Sequence, residues 1–163
     1  CAEHLTSVAS VLDLGCGHGR PVSQTFVNEG HAIYGVDASP SMIAEFRANL
    51  PTASAECSSV EESQFFNRTF DAVVAWGLMF ILPADVQTVI IQKVSRVLNE
   101  NGQFLFTAPK EACEWIDSLT GRKSLSLGFE KYQCILNSEG FALVGEDIDE
   151  GGNYYYFAAK EKK

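Results

Sequence analysis

The sequence predicts an α/β fold, a doubly wound and mostly parallel sheet with helices on both faces and an antiparallel last strand. Three observations carry this reading. Apolar strand-like runs alternate with helix-period segments from end to end, the pattern of a parallel sheet covered by helices. A glycine-rich turn separates the first run from the first helical segment. The last two runs are divided only by Glu150-Gly151-Gly152-Asn153; a parallel return needs a crossover of about a dozen residues or more, so these two must pair antiparallel.

Taken in order, residues 8–14 form the first strand, which stops at glycines, and Arg20-Pro21 opens a helix reaching about residue 29, with Pro21 suited to the first helical position. Residues 32–36 make a second strand, after which Ser39 caps a helix that has Pro40 at its first position. Met42, Ile43, Phe46 and Leu50 are that helix's apolar face, since they recur at helical spacing. A weak third strand at 53–57 and a strong fourth at 70–75 follow, then a helix over 84–98 carrying Val86, Val89, Ile90, Val94, Val97 and Leu98 at the same spacing. Residues 102–107 read as the fifth strand, 110–129 as a long connection, 130–139 as a helix, and 141–148 and 154–159 as the closing strands. Long ordered connections often cover sites, so 110–129 is expected near a ligand.

Composition narrows the function classes. The 163 residues suit one domain spanning 1–163, and 46% hydrophobic against 20% charged is ordinary for a folded globular chain. No apolar run approaches the ~18 residues that cross a bilayer. Twenty-one acids against 12 bases give a formal charge of −9, a field that repels a phosphate backbone and argues against nucleic acid as partner. The five cysteines, Cys1, Cys16, Cys57, Cys113 and Cys134, are scattered and form no C-x-x-C pair. That suits reduced thiols in the cytoplasm better than a disulfide frame or a zinc site.

The turn Asp13-Leu14-Gly15-Cys16-Gly17-His18-Gly19 lies where a doubly wound sheet lets its backbone approach a nucleotide. A dinucleotide pyrophosphate wants the N–H groups of G-x-G-x-x-G. Here the third glycine comes one residue early, Arg20 stands where the fingerprint has glycine, and Asp13 adds a carboxylate before the turn. S-adenosylmethionine carries an ammonium and a sulfonium but no phosphate, so it needs acceptors instead of a phosphate nest, and it matches this turn better. Asp37, 20 residues after Gly17, can accept both ribose hydroxyls, although an acid at similar spacing also serves NAD.

The segments VLDLGCGHGR, IYGVDAS, TFDAVVAWGLMFIL and VLNENGQFLFTAP resemble, in order, the motifs of class I S-adenosylmethionine-dependent methyltransferases. The resemblance covers 8–109 by motif and 130–160 by topology, and it implies that family's Rossmann-like seven-stranded sheet of order 3-2-1-4-5-7-6. It implies that Asp13, Gly15, Cys16 and Gly17 meet the methionine end of the cofactor, Asp37 its ribose, and Ala38, Ser39 and Met42 its adenine side. Ser59 falls where the family often has Asp for the adenine amino group, with Val60 supplying the adjacent N–H. Ala75-Trp76-Gly77 would pass over the sulfonium, and Phe80 and Ile81 would begin the wall behind it.

The expected activity is methylation of an O or N atom of a small-molecule acceptor, with S-adenosyl-L-homocysteine as product. Ala75-Trp76-Gly77-Leu78 stands where amino-group methylases of the Asp/Asn-Pro-Pro-aromatic type have that tetrapeptide, and no proline precedes a cysteine as in cytosine C5 methylases. No general base is nominated: His18 is in the glycine turn, His31 leads into a strand and His4 is near the start. Trp115 is expected to wall the acceptor site, and Arg122, beside Lys123, to meet an anionic group on the acceptor, because its planar fork fits a carboxylate. The chain starts at Cys with a strand close behind, so the N-terminal helical cover usual in the family is expected to lie outside it. Two alternatives stay open, a nicotinamide-dependent oxidoreductase and a noncatalytic binder of the same cofactor.

Overall fold

The computed structural model describes residues 7–162; Cys1 and His4 lie outside the described residues. Strands β1 (Ser10–Leu14), β2 (Ala32–Asp37), β3 (Ser54–Cys57), β4 (Phe70–Ala75) and β5 (Leu98–Thr107) alternate with helices α1 (Val22–Asn28), α2 (Pro40–Asn49) and α3 (Ala84–Val97). A hairpin of β6 (Cys113–Ile116) and β7 (Lys123–Ser126) follows, then α4 (Phe129–Ser138), β8 (Phe141–Ile148) and β9 (Tyr154–Lys160). The seven-stranded sheet has the order β3-β2-β1-β4-β5-β9-β8. Its first five strands run parallel, and β9 is antiparallel to both β5 and β8. With the small hairpin set apart, this is the predicted topology of the Rossmann-like methyltransferase fold.

Alternation along the central strands divides the core in two. Val11, Ala72, Val74 and Leu105 face Phe26 of α1 and Ile43 and Phe46 of α2, while Leu12, Leu14, Val73, Phe104 and Phe106 face Ile90, Ile91 and Val94 of α3 and Tyr132 and Leu136 of α4. Consecutive strand residues point to opposite faces, so a strand buried on both sides is apolar throughout. Ser39 caps α2 by accepting from the Met42 N–H at 3.4 Å, with Pro40 in the first turn. No helix among the described residues is long and apolar enough to cross a membrane.

Two elements differ from the sequence reading. β5 starts at Leu98, four residues early, because the chain leaves α3 already extended; the register slips between Phe70 and Ala72, and Asn101 takes a φ of 61°. The connection 110–129 contains the β6–β7 hairpin. Its strands, Cys-Glu-Trp-Ile and Lys-Ser-Leu-Ser, are four residues each, too short to show a period-2 pattern in the sequence. Side chains do the ordering instead. Asp117 Oδ1 accepts from the N–H groups of Leu119 and Thr120 and from the Thr120 hydroxyl to form the turn, which holds its carboxyl below the usual range. Buried Gln87 donates to the carbonyls of Leu82 and Leu125 and accepts from the Tyr132 hydroxyl at 2.5 Å, so α3 and α4 grip β7 together. The Ser126 hydroxyl donates to Pro109 O at 2.6 Å.

Candidate functional site

The glycine turn closes on itself through the ends of β1 and β2. Gly15 N and Cys16 N both donate to Val36 O, at 2.8 and 3.1 Å, and Gly19 N donates to Cys16 O at 3.0 Å. Gly17 N donates to Asp37 Oδ2 and Ser39 N to Asp37 Oδ1, each at 2.9 Å. Glycine is required at position 17 by its φ of 53°, and nothing lies within 4 Å of where a Cβ would stand, so the turn is open on that side. At Gly19 a Cβ would strike Leu50 and Phe46. Cys16 turns its thiol down over Gly35 into the core; burial, ahead of the charges of Asp13 and Asp37, raises its pKa.

Asp13 sits beneath this turn, 3% exposed, with Oδ2 accepting from the Ser23 hydroxyl of α1 at 2.5 Å. Burial pushes its pKa up to about 7; the Ser23 hydrogen bond opposes the shift and the nearby Asp37 charge adds to it. Two carboxylates therefore crowd one side of a turn whose N–H groups at 15, 16, 17 and 19 are already used.

Along the flank of the turn, Ala38 is exposed and Met42 half-buried at the start of α2. Ser59 accepts from Glu62 N through its hydroxyl and from Ser63 N through its carbonyl, so it shapes a tight turn that leaves Val60 buried. Lys93 of α3, which sequence reasoning missed, donates to the carbonyls of Val60, Glu61 and Ser63 at 2.7, 3.0 and 2.8 Å. Its ammonium also lies 4.4 Å from the centre of the Phe65 ring. Burial lowers its pKa while Glu56 and Glu61 oppose the shift. A lysine amid helical apolar spacing gives no sequence signal for such a role.

Beyond β4, Ala75 is buried and Trp76 is 38% exposed. Trp76 Nε1 donates to the Tyr155 hydroxyl at 2.9 Å, and Tyr155 donates to Asp149 Oδ2 at 2.7 Å. Burial, then the Asp149 carboxylate, holds the Tyr155 phenol above the usual tyrosine range, which keeps it a donor. Gly77 N donates to Thr107 Oγ1 at 2.8 Å, tying the ends of β4 and β5. Phe80, on a 3-10 turn at Met79–Ile81, meets Trp115 of β6 with ring centroids 5.6 Å apart and planes at 41°. Both line a cavity of about 330 Å³ at the carboxyl end of β5. Arg122 stands exposed at the tip of the β6–β7 hairpin, outside that lining, and Lys123 pairs with Glu114 at 2.9 Å. The roles of Thr107, Tyr155 and Asp149 were not read from the sequence, although the aromatic run Tyr154-Tyr155-Tyr156 marks the strand that supplies one of them.

His31 is buried with Nδ1 accepting from Ala9 N at 3.2 Å, a structural role. Among the described residues no group of three His, Cys, Asp or Glu side chains could hold a metal ion.

The profile of the methyltransferase domain family matches residues 11–102, more than half of the chain and the whole stretch from β1 into β5. The chain belongs to the class I S-adenosylmethionine-dependent methyltransferases. This methyltransferase is 28% identical over 94% of its length to an uncharacterised methyltransferase of Synechocystis, of which it covers 76%. In fold it is similar to the 1,6-didemethyltoxoflavin N1-methyltransferase of Burkholderia thailandensis, solved with 1,6-didemethyltoxoflavin and S-adenosylhomocysteine, at a TM-score of 0.81 and 19% identity over 98% of this chain and 74% of that one. It is similar also to the magnesium protoporphyrin IX methyltransferase of Synechocystis, solved with S-adenosylmethionine, at a TM-score of 0.75 and 16% identity over 94% and 71% of the two chains.

Proposed function

We propose that this methyltransferase holds S-adenosyl-L-methionine against the glycine turn and methylates an O or N atom of a small cytoplasmic molecule, releasing S-adenosyl-L-homocysteine. One observation carries the reading. The N–H groups of Gly15, Cys16, Gly17 and Gly19 are spent on Val36 O, Asp37 and Cys16 O, so the turn offers no nest to a pyrophosphate. What it offers is carboxylate, Asp13 buried below and Asp37 beside: burial raises the pKa of Asp13 most, and the repulsion of the Asp37 charge adds to it. A cationic ligand relieves that repulsion and an anionic one worsens it, which favours a sulfonium cofactor over a nicotinamide dinucleotide.

The donor set fits. A carboxylate has about four lone-pair sites, and Asp37 uses one on each oxygen for Gly17 N and Ser39 N, leaving acceptor capacity for two ribose hydroxyls. Ala38, Ser39, Met42, Ser59 and Val60 would flank the adenine, and Ala75, Trp76 and Gly77 the sulfonium. The bound cofactor supplies a methyl group on positively charged sulfur. This chain's own work is to hold the acceptor atom in line and to keep water out, effects that lower a barrier without a catalytic base where the attacking atom already has a free lone pair, as in an unprotonated amine, a phenolate or a carboxylate; a neutral hydroxyl gives its proton to solvent. The test is release of S-adenosylhomocysteine from S-adenosylmethionine over a panel of phenols, amines and carboxylic acids. Acceptor-dependent release is expected; tight cofactor binding with no release over the whole panel would favour the noncatalytic binder.

A further inference from the structure

We propose that the cavity of about 330 Å³ at the carboxyl end of β5 selects a neutral, planar aromatic acceptor of one or two rings. The inference rests on the methyltransferase reading and names its substrate class.

Shape argues for planarity. Phe80 and Trp115 pack against each other at 41° with centroids 5.6 Å apart, too close to admit a ring between them, so together they form a wedge-shaped aromatic wall of the cavity against which a flat ring buries more area than a puckered one. Aromatic contacts of this kind contribute beyond the area they bury. The wedge is preformed, because Gln87 and Ser126 fasten the hairpin bearing Trp115 to α3 and to Pro109. Ile148 and Tyr154 line the same cavity, and its volume is at the small end of the ~300–1,000 Å³ range of ligand pockets, which limits the ring count.

Charge argues for neutrality. Lys110 and Glu111, one of each sign, line the cavity, and the Lys110 ammonium is already 3.6 Å from Glu146. Arg122 lies outside the lining, and the chain as a whole carries a formal −9. A carboxylate entering here would lose water without gaining an uncompensated cation. The inner polar contact is Thr107, 2% exposed. Its oxygen takes the Gly77 N–H, and its own proton has no acceptor among the described residues, so it is free to donate to an oxygen or ring nitrogen of the acceptor. That bond would register the acceptor against the turn after β4.

The test is calorimetric titration of 2-naphthol, 2-naphthoate and cyclohexanol into the protein, each with and without S-adenosylhomocysteine, whose own binding is measured first. The expected result is 2-naphthol binding roughly tenfold more tightly than either other probe, the preference lost in Trp115→Ala and in Phe80→Leu, weakened in Thr107→Val and unchanged in Arg122→Ala. Equal or tighter binding of 2-naphthoate or cyclohexanol overturns the inference, as does failure of every probe to bind; if a variant does not fold, this wild-type ranking decides. Failure of S-adenosylhomocysteine to bind while 2-naphthol binds as expected would instead overturn the cofactor reading and leave the cavity assignment standing.

Discussion

The glycine turn after β1 and the cavity after β5 both lie at the carboxyl ends of strands, where open α/β sheets bind ligands, yet they are made of different materials. In the turn, backbone N–H groups are matched to Val36 O, Cys16 O and Asp37 within 2.8–3.1 Å, and Asp13 is buried beneath them on Ser23. In the cavity the walls are the rings of Phe80, Trp115 and Tyr154, and the fixing bonds are made at the base of the hairpin and behind the rings. Such a difference teaches where each kind of perturbation should register: charge and pH in the first region, ring shape in the second.

Removing the acid that serves both backbone and ligand should break the first region most severely. Asp37→Ala deletes the acceptor for Gly17 N and Ser39 N and the proposed ribose contact; hydrogen bonds to a charged group contribute ~1.5–3 kcal/mol, so affinity for S-adenosylmethionine should fall roughly ten- to a hundredfold. Calorimetry on the folded variant checks this, and an unchanged constant would remove Asp37 from the ribose.

A gentler probe is pH. The folded-state pKa of Asp13 is raised from 3.8 to about 7, so the folded protein binds the extra proton between those values. The stability this proton confers is complete below the unfolded pKa and is lost as pH rises through about 7. Asp13→Asn should therefore gain on the wild type, in melting temperature, as pH climbs from 4 to 7. Cofactor affinity should move the other way, because a bound cation favours the ionised carboxylate: it should rise by up to about tenfold per pH unit below 7 and level off above. Parallel affinity profiles in wild type and Asp13→Asn would show that Asp13 does not sense the ligand.

The smallest effect is expected where the two regions meet. Tyr155→Phe keeps the ring but removes the acceptor of the Trp76 indole and one donor to Asp149, which keeps its bonds from Asn153. Turnover should fall a few-fold and the acceptor KM rise, while the cofactor dissociation constant stays put, and Trp76 emission should shift as its N–H meets water. A change in cofactor binding equal to the change in turnover would place Trp76 on the cofactor side instead.

The legibility of the chain follows the same division. The strand–turn–helix units from β1 to α2 could be read because local chemistry decides them: glycine where φ is positive, Ser39 and Pro40 at a helix start, an acid at a strand end. The sheet order followed from resemblance, and the structure has it. Phe80 follows from the resemblance and Trp115 from its place in the long connection after β5, and the two come together. The β6–β7 hairpin was not legible, since its strands are only four residues each and its order comes from Gln87, whose partners Leu125 and Tyr132 lie 38 and 45 residues along the chain. Lys93 and Thr107 were missed for a related reason: each acts through a bond across at least 30 residues, and no local pattern reports such a contact.

If the turn after β1 is built for a sulfonium cofactor and not for a pyrophosphate, a thermal-shift comparison must separate S-adenosylmethionine and S-adenosylhomocysteine from NAD and NADP. A ligand bound only to the folded state stabilises by about 2.7 kcal/mol at a hundred times its dissociation constant. The expected result is a concentration-dependent rise in melting temperature with the first two and none with the dinucleotides; stabilisation by NAD or NADP, with no response to S-adenosylmethionine or S-adenosylhomocysteine, would overturn the sulfonium assignment.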